Sequence, residues 1–184
     1  VNPVDDSIYD AAGNEASISQ SNNTKTLNDK AAPTISSVSL ASDNSTIAVT
    51  FSEAVYNTNS GSGSLEASDY YLAIFDVGGA TLGGPAPHRP TSISISGNVY
   101  TLGIGLSGTP IGIEIISVKP NDNSIYDAAG NEASTTQSNN TATLNDKTAP
   151  TVTFSPANNA TGVAVDRNIT ITFNEAVRKI DDSA

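Results

Sequence analysis

One short loop of this sequence combines acidic and amide side chains of the kind that bind a hard cation. The loop reads Asp-Ala-Ala-Gly-Asn and occurs twice, at Asp10–Asn14 and at Asp127–Asn131. Calcium takes about six to eight oxygen ligands from carboxylates, amides and carbonyls, and a glycine lets such a loop turn sharply. The same residue types also favour plain turns. The loop by itself therefore predicts either part of a calcium site or a structural turn.

The loop belongs to a much longer internal repeat. Ser7–Thr34 occurs again as Ser124–Thr151, and the spacing of the two copies is that of a domain rather than of a solenoid unit. The copies differ only at Ile18/Thr135, Ser19/Thr136, Lys25/Ala142 and Ala31/Thr148. Identity this extensive outside a core suggests that successive domains use the loop in the same way.

The elements that must position these residues are short β-strands. Apolar and polar residues alternate along Thr46–Phe51 and again from Tyr70 to Ile74, which is the pattern of half-buried strands. Further strands are predicted at Ser21–Asn28, Ile35–Leu40, Ile93–Ile95, Tyr100–Leu106, Ile111–Ile115 and Thr141–Leu144, with a flexible loop at Asn57–Ser64 and a long loop at Asp76–Pro90. Because no stretch has helical periodicity, we expect an all-β, immunoglobulin-like antiparallel sandwich.

The repeat divides the chain into three parts. Residues 1–30 are predicted to end one immunoglobulin-like (Ig-like) repeat, residues 31–146 to form a complete domain, and residues 147–184 to begin the next. In the last part Ile169, Ile171 and Phe173 mirror Ile47, Val49 and Phe51 of the complete domain. We therefore expect the chain to be a window on a longer tandem array.

Three motifs in order carry a family resemblance. They are DxxGN after a strand, DKxAPT at the next domain start (Asp29–Thr34 and Asp146–Thr151), and TF[SN]EAV at the end of the second strand (Thr50–Val55 and Thr172–Val177). The chain resembles the bacterial Ig-like repeats of large surface proteins, including S-layer-type domains and those of a cyanobacterial motility surface protein. The resemblance implies an exported, multi-domain, often calcium-associated adhesive protein, located outside the cell or on its surface.

An Ig sandwich brings the start of its first strand, the loop after its second and the loop before its last to one pole. In the complete domain these segments carry Asp29, Glu53, Asp122, Asp127 and Asn131. We expect them to bind Ca²⁺. The corresponding residues of the neighbouring repeats are Asp10 and Asn14 on one side and Asp146 and Glu175 on the other.

Charge and composition exclude several other functions. The net charge of the 184 residues is −11, from 19 acidic and 8 basic side chains, so a nucleic-acid backbone is a poor partner. No window is apolar enough for membrane insertion. The absence of cysteine excludes a thiolate metal site and a disulfide scaffold.

The sequence also argues against an enzyme. Gly103–Gly108 fits the dinucleotide pattern GxGxxG, but an isoleucine-rich strand follows where that motif needs a helix. His88 is the only histidine, and no serine lies in a GxSxG elbow. We expect a non-enzymatic stalk or filament whose partners are neighbouring Ig-like domains of the same or adjacent chains. The alternatives are a module binding a glycan or a surface protein through the loop at residues 76–90, and an accessory domain of a secreted enzyme.

Overall fold

The structure, a computed structural model, describes residues 1–76 and 78–179. Over these residues it contains eleven β-strands and a short 3-10 helix at Ala67–Asp69. The strands are β1 (Ile35–Leu40), β2 (Thr46–Phe51), β3 (Tyr70–Phe75), β4 (Ala80–Leu82), β5 (Ile93–Ser96), β6 (Val99–Gly103), β7 (Leu106–Gly108), β8 (Ile115–Pro120), β9 (Thr141–Thr143), β10 (Val152–Ser155) and β11 (Thr170–Phe173).

Two antiparallel sheets form the main body. One has the strand order β1-β2-β6-β5 and the other the order β3-β8-β9, while β4 pairs with β7 beside them. These are the two sheets of a constant-type Ig sandwich. The structure thus confirms the predicted fold class, an all-β protein with antiparallel Ig-like sheets.

The core lies between the two sheets because alternate residues of each strand face inward. Along β2 the side chains of Ile47, Val49 and Phe51 are buried, while the residues between them are half-buried. The ring of Phe51 meets that of Tyr100 edge to face at 5.6 Å and lies 6.5 Å from that of Tyr70. Burial of each such side chain contributes about 1.5–3 kcal/mol.

Several predicted strand limits differ from the structure. The predicted strand at Ser21–Asn28 does not form, and the predicted loop at Asp76–Pro90 contains β4. The predicted strand from Tyr100 to Leu106 breaks into β6 and β7 at Gly105, where φ is +67°. The strand predicted from Ile111 begins only at Ile115, because Gly112 has a φ of +81° and turns the chain.

The two ends of the sandwich differ in the loops and linkers that they carry. The acidic pole is the end where β1 begins and where β2 and β8 end. The opposite pole contains the turn between β1 and β2 and the beginning of β8. The first linker (Asn28–Pro33) leads into the acidic pole, and the second linker (Asn145–Pro150) leaves from the opposite one.

The segments outside the sandwich have little core of their own. The buried hydrophobic residues all lie between Ile35 and Leu144 among the described residues. The hairpin β10–β11 repeats the pairing of β1 with β2, but Phe154 is 52% exposed and Ile171 is 55% exposed. The division into repeats at residues 1–30, 31–146 and 147–184 stays a prediction.

Candidate metal centre

The repeated loop of the complete domain is organised around the carboxylate of Asp127. Its Oδ1 accepts the backbone N–H groups of Ala129 and Asn131, each at 2.8 Å, and its Oδ2 accepts the Asn131 side-chain amide at 2.7 Å. Asp127 is fully buried. Burial, the largest effect, opposes ionisation, but these hydrogen bonds outweigh it and hold the pKa of Asp127 below its ordinary value.

The first copy of the loop folds in the same way without a domain beneath it. Asp10 accepts the N–H groups of Ala12 at 2.9 Å and Asn14 at 2.8 Å, and the Asn14 side chain at 2.8 Å. The side-chain bond from Asn14 is the largest of the causes that lower the pKa of Asp10. Since Asp10 is exposed, the loop conformation is encoded locally by its five residues.

Three carboxylates converge beside the loop at the acidic pole. Single carboxylate oxygens of Asp29, Glu53 and Asp127 all lie within 4.8 Å of one another. Asp29 is exposed, Glu53 half-buried and Asp127 buried. Burial, followed by the negative charges of Asp127 and Asp29, raises the pKa of Glu53. These three residues are called the acidic cluster below.

The chemistry of the acidic cluster suits a hard cation. Its donors are all oxygens, which calcium and magnesium prefer, whereas zinc and copper sites are usually built from imidazole or thiolate. Three carboxylates can supply about three to six of the oxygen ligands that calcium needs, depending on whether each binds through one oxygen or two. A cation would also relieve the repulsion that raises the pKa of Glu53.

Asn131, predicted as a ligand, contacts the first linker through its amide nitrogen. The nitrogen lies 3.2 Å from the carbonyl oxygen of Ala31 and 3.4 Å from that of Asp29, besides its bond to Asp127. The Asp29 side chain in turn accepts the N–H of Ala31 at 2.9 Å. Asn131 therefore links the repeated loop to the chain that enters the domain.

A second loop covers the other side of the repeated loop. Residues 57–63 lie against it so closely that a Cβ on Gly130 would be 2.5 Å from the carbonyl oxygen of Asn59. Likewise, a Cβ on Gly61 would be 2.8 Å from the carbonyl oxygen of Ala128. Tyr56 and Tyr126 exchange backbone hydrogen bonds of 2.7 and 2.8 Å at the base of the two loops. The acidic cluster thus sits on a pole held by backbone contacts.

The other predicted site residues lie outside the acidic cluster. Asp122 is exposed, and its carbonyl accepts the Ser124 hydroxyl at 3.1 Å. Asp146 is exposed and accepts the N–H of Thr148 at 2.7 Å, which is the bond that Asp29 makes to Ala31. Glu175 is half-buried in the third segment. Asp10 and Asn14 bond to each other in the first.

Sequence reasoning missed a buried carboxylate near the opposite pole. Glu114 is fully buried, and its Oε1 accepts the N–H groups of Gly79 at 2.7 Å and Ala80 at 3.0 Å. Both carboxylate oxygens lie within 3.2 Å of the Ile111 nitrogen. Burial, the largest effect, would raise the pKa of Glu114, but the backbone donors lower it. The signal that could have revealed this buried carboxylate is a single acidic residue within an isoleucine-rich stretch.

The second linker is also fixed to the sandwich by hydrogen bonds, which the sequence did not indicate. Asn44 is buried and exchanges bonds with Asn145: its Nδ2 donates to the Asn145 carbonyl at 2.8 Å, and its Oδ1 accepts the Asn145 N–H at 2.9 Å. The Lys147 N–H donates to the Pro110 carbonyl at 2.9 Å, and the Thr148 hydroxyl lies 3.2 Å from the same oxygen. The chain therefore leaves the domain along a fixed path.

The residues considered for nucleotide binding and for hydrolysis are structural parts of the sandwich. Gly103–Gly108 runs from strand β6 into strand β7, so no helix follows the GxGxxG pattern. His88 is half-buried, and its carbonyl accepts the Leu72 N–H at 3.0 Å. Among the described residues, none of the helices is long and apolar enough to cross a membrane.

The fold and the site together define an Ig-like sandwich with a carboxylate cluster where the preceding linker enters. Residues 146–183 match the family described as bacterial Ig-like domain, a domain type typical of surface proteins. The match confirms the resemblance for this segment, and no catalytic domain is identified. No curated protein and no solved structure matches the chain significantly.

Proposed function

We propose that this chain is part of a non-enzymatic structural or adhesive protein, located outside the cell, in which Ig-like repeats are joined end to end. The observation that supports this most directly is the contact of Asn131 with the carbonyls of Asp29 and Ala31. A residue of the repeated loop thereby holds the linker that precedes its own domain. The identical loop at Asp10–Asn14 would serve the preceding domain in the same way.

We further propose that the acidic cluster binds calcium and so stiffens the junction before the domain. Asp29 belongs to the linker, whereas Glu53 and Asp127 belong to the sandwich. An ion bound to all three would join the two parts of the chain. Calcium that binds the ordered state alone would stabilise it by about 3 kcal/mol at a hundredfold excess over Kd.

A calcium titration of the whole 184-residue chain tests this proposal. We expect the melting midpoint to rise on adding calcium and to return on adding chelator, with matching binding heat in calorimetry. Glu53→Gln should abolish the rise, because it removes a ligand charge without touching the bonds that fold the Asp127 loop. Glu175→Gln, the equivalent change in the third segment, should keep it. A midpoint unaffected by calcium, without binding heat, would leave the repeated loop as a structural turn.

A second candidate function is ligand binding beside the loop at residues 76–90. A cavity of about 190 Å³ there is lined by residues that include Tyr71, Thr81 and His88. His88 lines this cavity and is half-buried, so a ligand bound there would contact it. Because His88 is the only histidine, its NMR ring signals report on this cavity alone. Glycan fragments that bind there should shift them, and unchanged signals across a panel of neutral and acidic sugars would exclude this role.

A further inference from the structure

The second linker repeats the sequence pattern of the first. Its residues Asp146–Thr148 correspond to Asp29–Ala31 of the first linker. In the first linker, the carbonyls of residues 29 and 31 are held by the domain that follows. In the second, the N–H of Lys147 is held by the domain that precedes it, through Pro110.

The two sets of contacts are compatible on one linker. They use different backbone groups: the following domain holds carbonyls of the first linker, and the preceding domain holds an N–H of the second. A following repeat built like the complete domain would hold the carbonyls of Asp146 and Thr148, while the Pro110 carbonyl accepts the N–H of Lys147. Asp146–Thr148 would then be bound by both repeats, which would bring the two repeats close together.

Exposed apolar side chains lie beside the second linker. Ile111 and Ile113 are 42% and 54% exposed and flank Gly112, which approaches the linker so closely that a Cβ on it would lie 3.2 Å from that of Asp146. Phe75 is 48% exposed and pairs in register with Ile115, two residues after Ile113. Ile111 rests on the backbone of Gly78 and Gly79, whose N–H is bound to buried Glu114. Ile111 is therefore held in place from beneath.

We propose that the patch formed by Phe75, Ile111 and Ile113 is the docking surface for the next Ig-like repeat of the same chain. This inference rests on the proposed tandem array and adds a specific interface to it. The path of the second linker places the start of the next repeat, Lys147, beside the patch. Burial of the patch would fix the angle between repeats, which the linker alone would leave free to bend.

The test uses the whole chain with residues 31–147 present twice in succession, between residues 1–30 and 148–184. The added joint, Lys147 followed by Ala31, repeats the natural step from Lys30 to Ala31. The chain has no cysteine, so Ser94→Cys in each copy provides two unique spin-label positions on an exposed face of β5. Pulsed electron spin resonance then measures the distance distribution between the two repeats.

We expect a narrow distance distribution for the chain with two copies. The distribution should broaden when Ile113→Ser is made in the first copy, because the patch of that copy faces a complete repeat. The same substitution in the second copy is the matched control and should leave the distribution narrow. Phe75→Ser in the first copy gives an independent variant should Ile113→Ser fail to fold. A narrow distribution that neither first-copy variant broadens would overturn the patch as an interface. A broad distribution in the parent chain would instead overturn the stiff array on which the inference rests, and the calcium titration remains a separate test of the acidic cluster.

Discussion

Asn131 shows at the scale of one residue how a turn becomes part of a junction. Its backbone and side chain complete the hydrogen bonding of Asp127, as Asn14 does for Asp10. Asn131 also reaches carbonyls of the linker that enters its domain. The loop geometry belongs to the five-residue sequence, whereas the contact with the linker belongs to the assembled domain.

Asn131→Ala should therefore lower the free energy of unfolding, whereas Asn14→Ala should leave it nearly unchanged. Removing the Asn131 amide leaves the buried carboxylate of Asp127 short of a donor, which costs about 1–3 kcal/mol of the free energy of unfolding. Asp10 is exposed, so water replaces the lost bond in the first copy. Urea denaturation of the two variants measures the difference. Equal losses would contradict the expectation that burial of Asp127 makes its lost hydrogen bond more costly than that of Asp10.

The raised pKa of Glu53 predicts how stability depends on pH in the absence of calcium. An acid whose pKa is higher in the folded state destabilises that state when ionised, and the penalty disappears as the pH falls through the folded pKa. In chelator at pH 7, Glu53→Gln should therefore be more stable than the parent chain. The difference should shrink as the pH falls towards about 4.3, the ordinary value for glutamate.

Urea unfolding of both chains from pH 7 downwards, with chelator throughout, makes this measurement. Comparing the variant with the parent cancels the contributions of acids that lie away from the acidic cluster. If the proposed calcium site is correct, added calcium at pH 7 should reverse the order of the two stabilities. If the parent chain is instead more stable than Glu53→Gln in chelator at pH 7, the ionised Glu53 does not destabilise the folded state.

At the scale of elements, the contact between two loops explains why the repeated loop needs glycine in one copy more than in the other. Gly130 and Gly13 have similar φ values, +84° and +86°. A Cβ on Gly130 would collide with the backbone of Asn59, whereas a Cβ on Gly13 meets nothing within 4 Å. The conformation is thus shared by both copies, and the close approach is specific to the complete domain.

Gly130→Ala should lower the melting midpoint of the sandwich, while Gly13→Ala should leave it unchanged. Alanine at positive φ costs about 1–2 kcal/mol, and Gly130→Ala must in addition displace residues 57–63. The same strain at Gly13 falls on an exposed loop away from the buried core. Calorimetric scans of the two variants provide the test. A midpoint that falls equally in both would mean that the first segment folds together with the sandwich.

The strands that alternation predicted are those with one buried face. β2 and β3 show it clearly, because their inward residues meet the opposite sheet. Ile111 and Ile113 also alternate, but Gly112 turns the chain there, so both are exposed. Alternation with a period of two does not reveal whether the apolar face packs against another sheet. That depends on where a turn redirects the chain.

The same reasoning explains how much of the acidic cluster was predictable. Asp29 precedes β1, Glu53 follows β2 and Asp127 lies in the loop after β8, and the sandwich topology brings these three segments to one pole. Asp122 also lies near a strand end but remains outside the cluster, because the path of an irregular loop determines its position. The orientation of the Asn131 amide depends on the path of the linker, for which the sequence has no periodic signal.

At the scale of the whole molecule, matched residues in different segments have very different surroundings. Phe51 is 2% exposed in β2, whereas Phe173, its counterpart in β11, is 43% exposed. Leu144 is 1% exposed after β9, whereas Leu27, its counterpart in the first segment, is 89% exposed. The same sequence signal thus contributes to a core in the sandwich and to none in the flanking segments that the structure describes.

We therefore predict that residues 31–146 unfold as one cooperative unit within the 184-residue chain. Phe51→Ala should destabilise this unit by about 3–5 kcal/mol, the usual cost of truncating a buried phenylalanine, while Phe173→Ala should leave it unchanged. Amide hydrogen exchange locates the unit directly, because protection should extend through both sheets from β1 to β9 and fall sharply in β10 and β11. Protection of β10 and β11 equal to that of β1 and β2, with equal losses on the two alanine substitutions, would show that the third segment shares the core and that the predicted boundary near residue 146 is wrong.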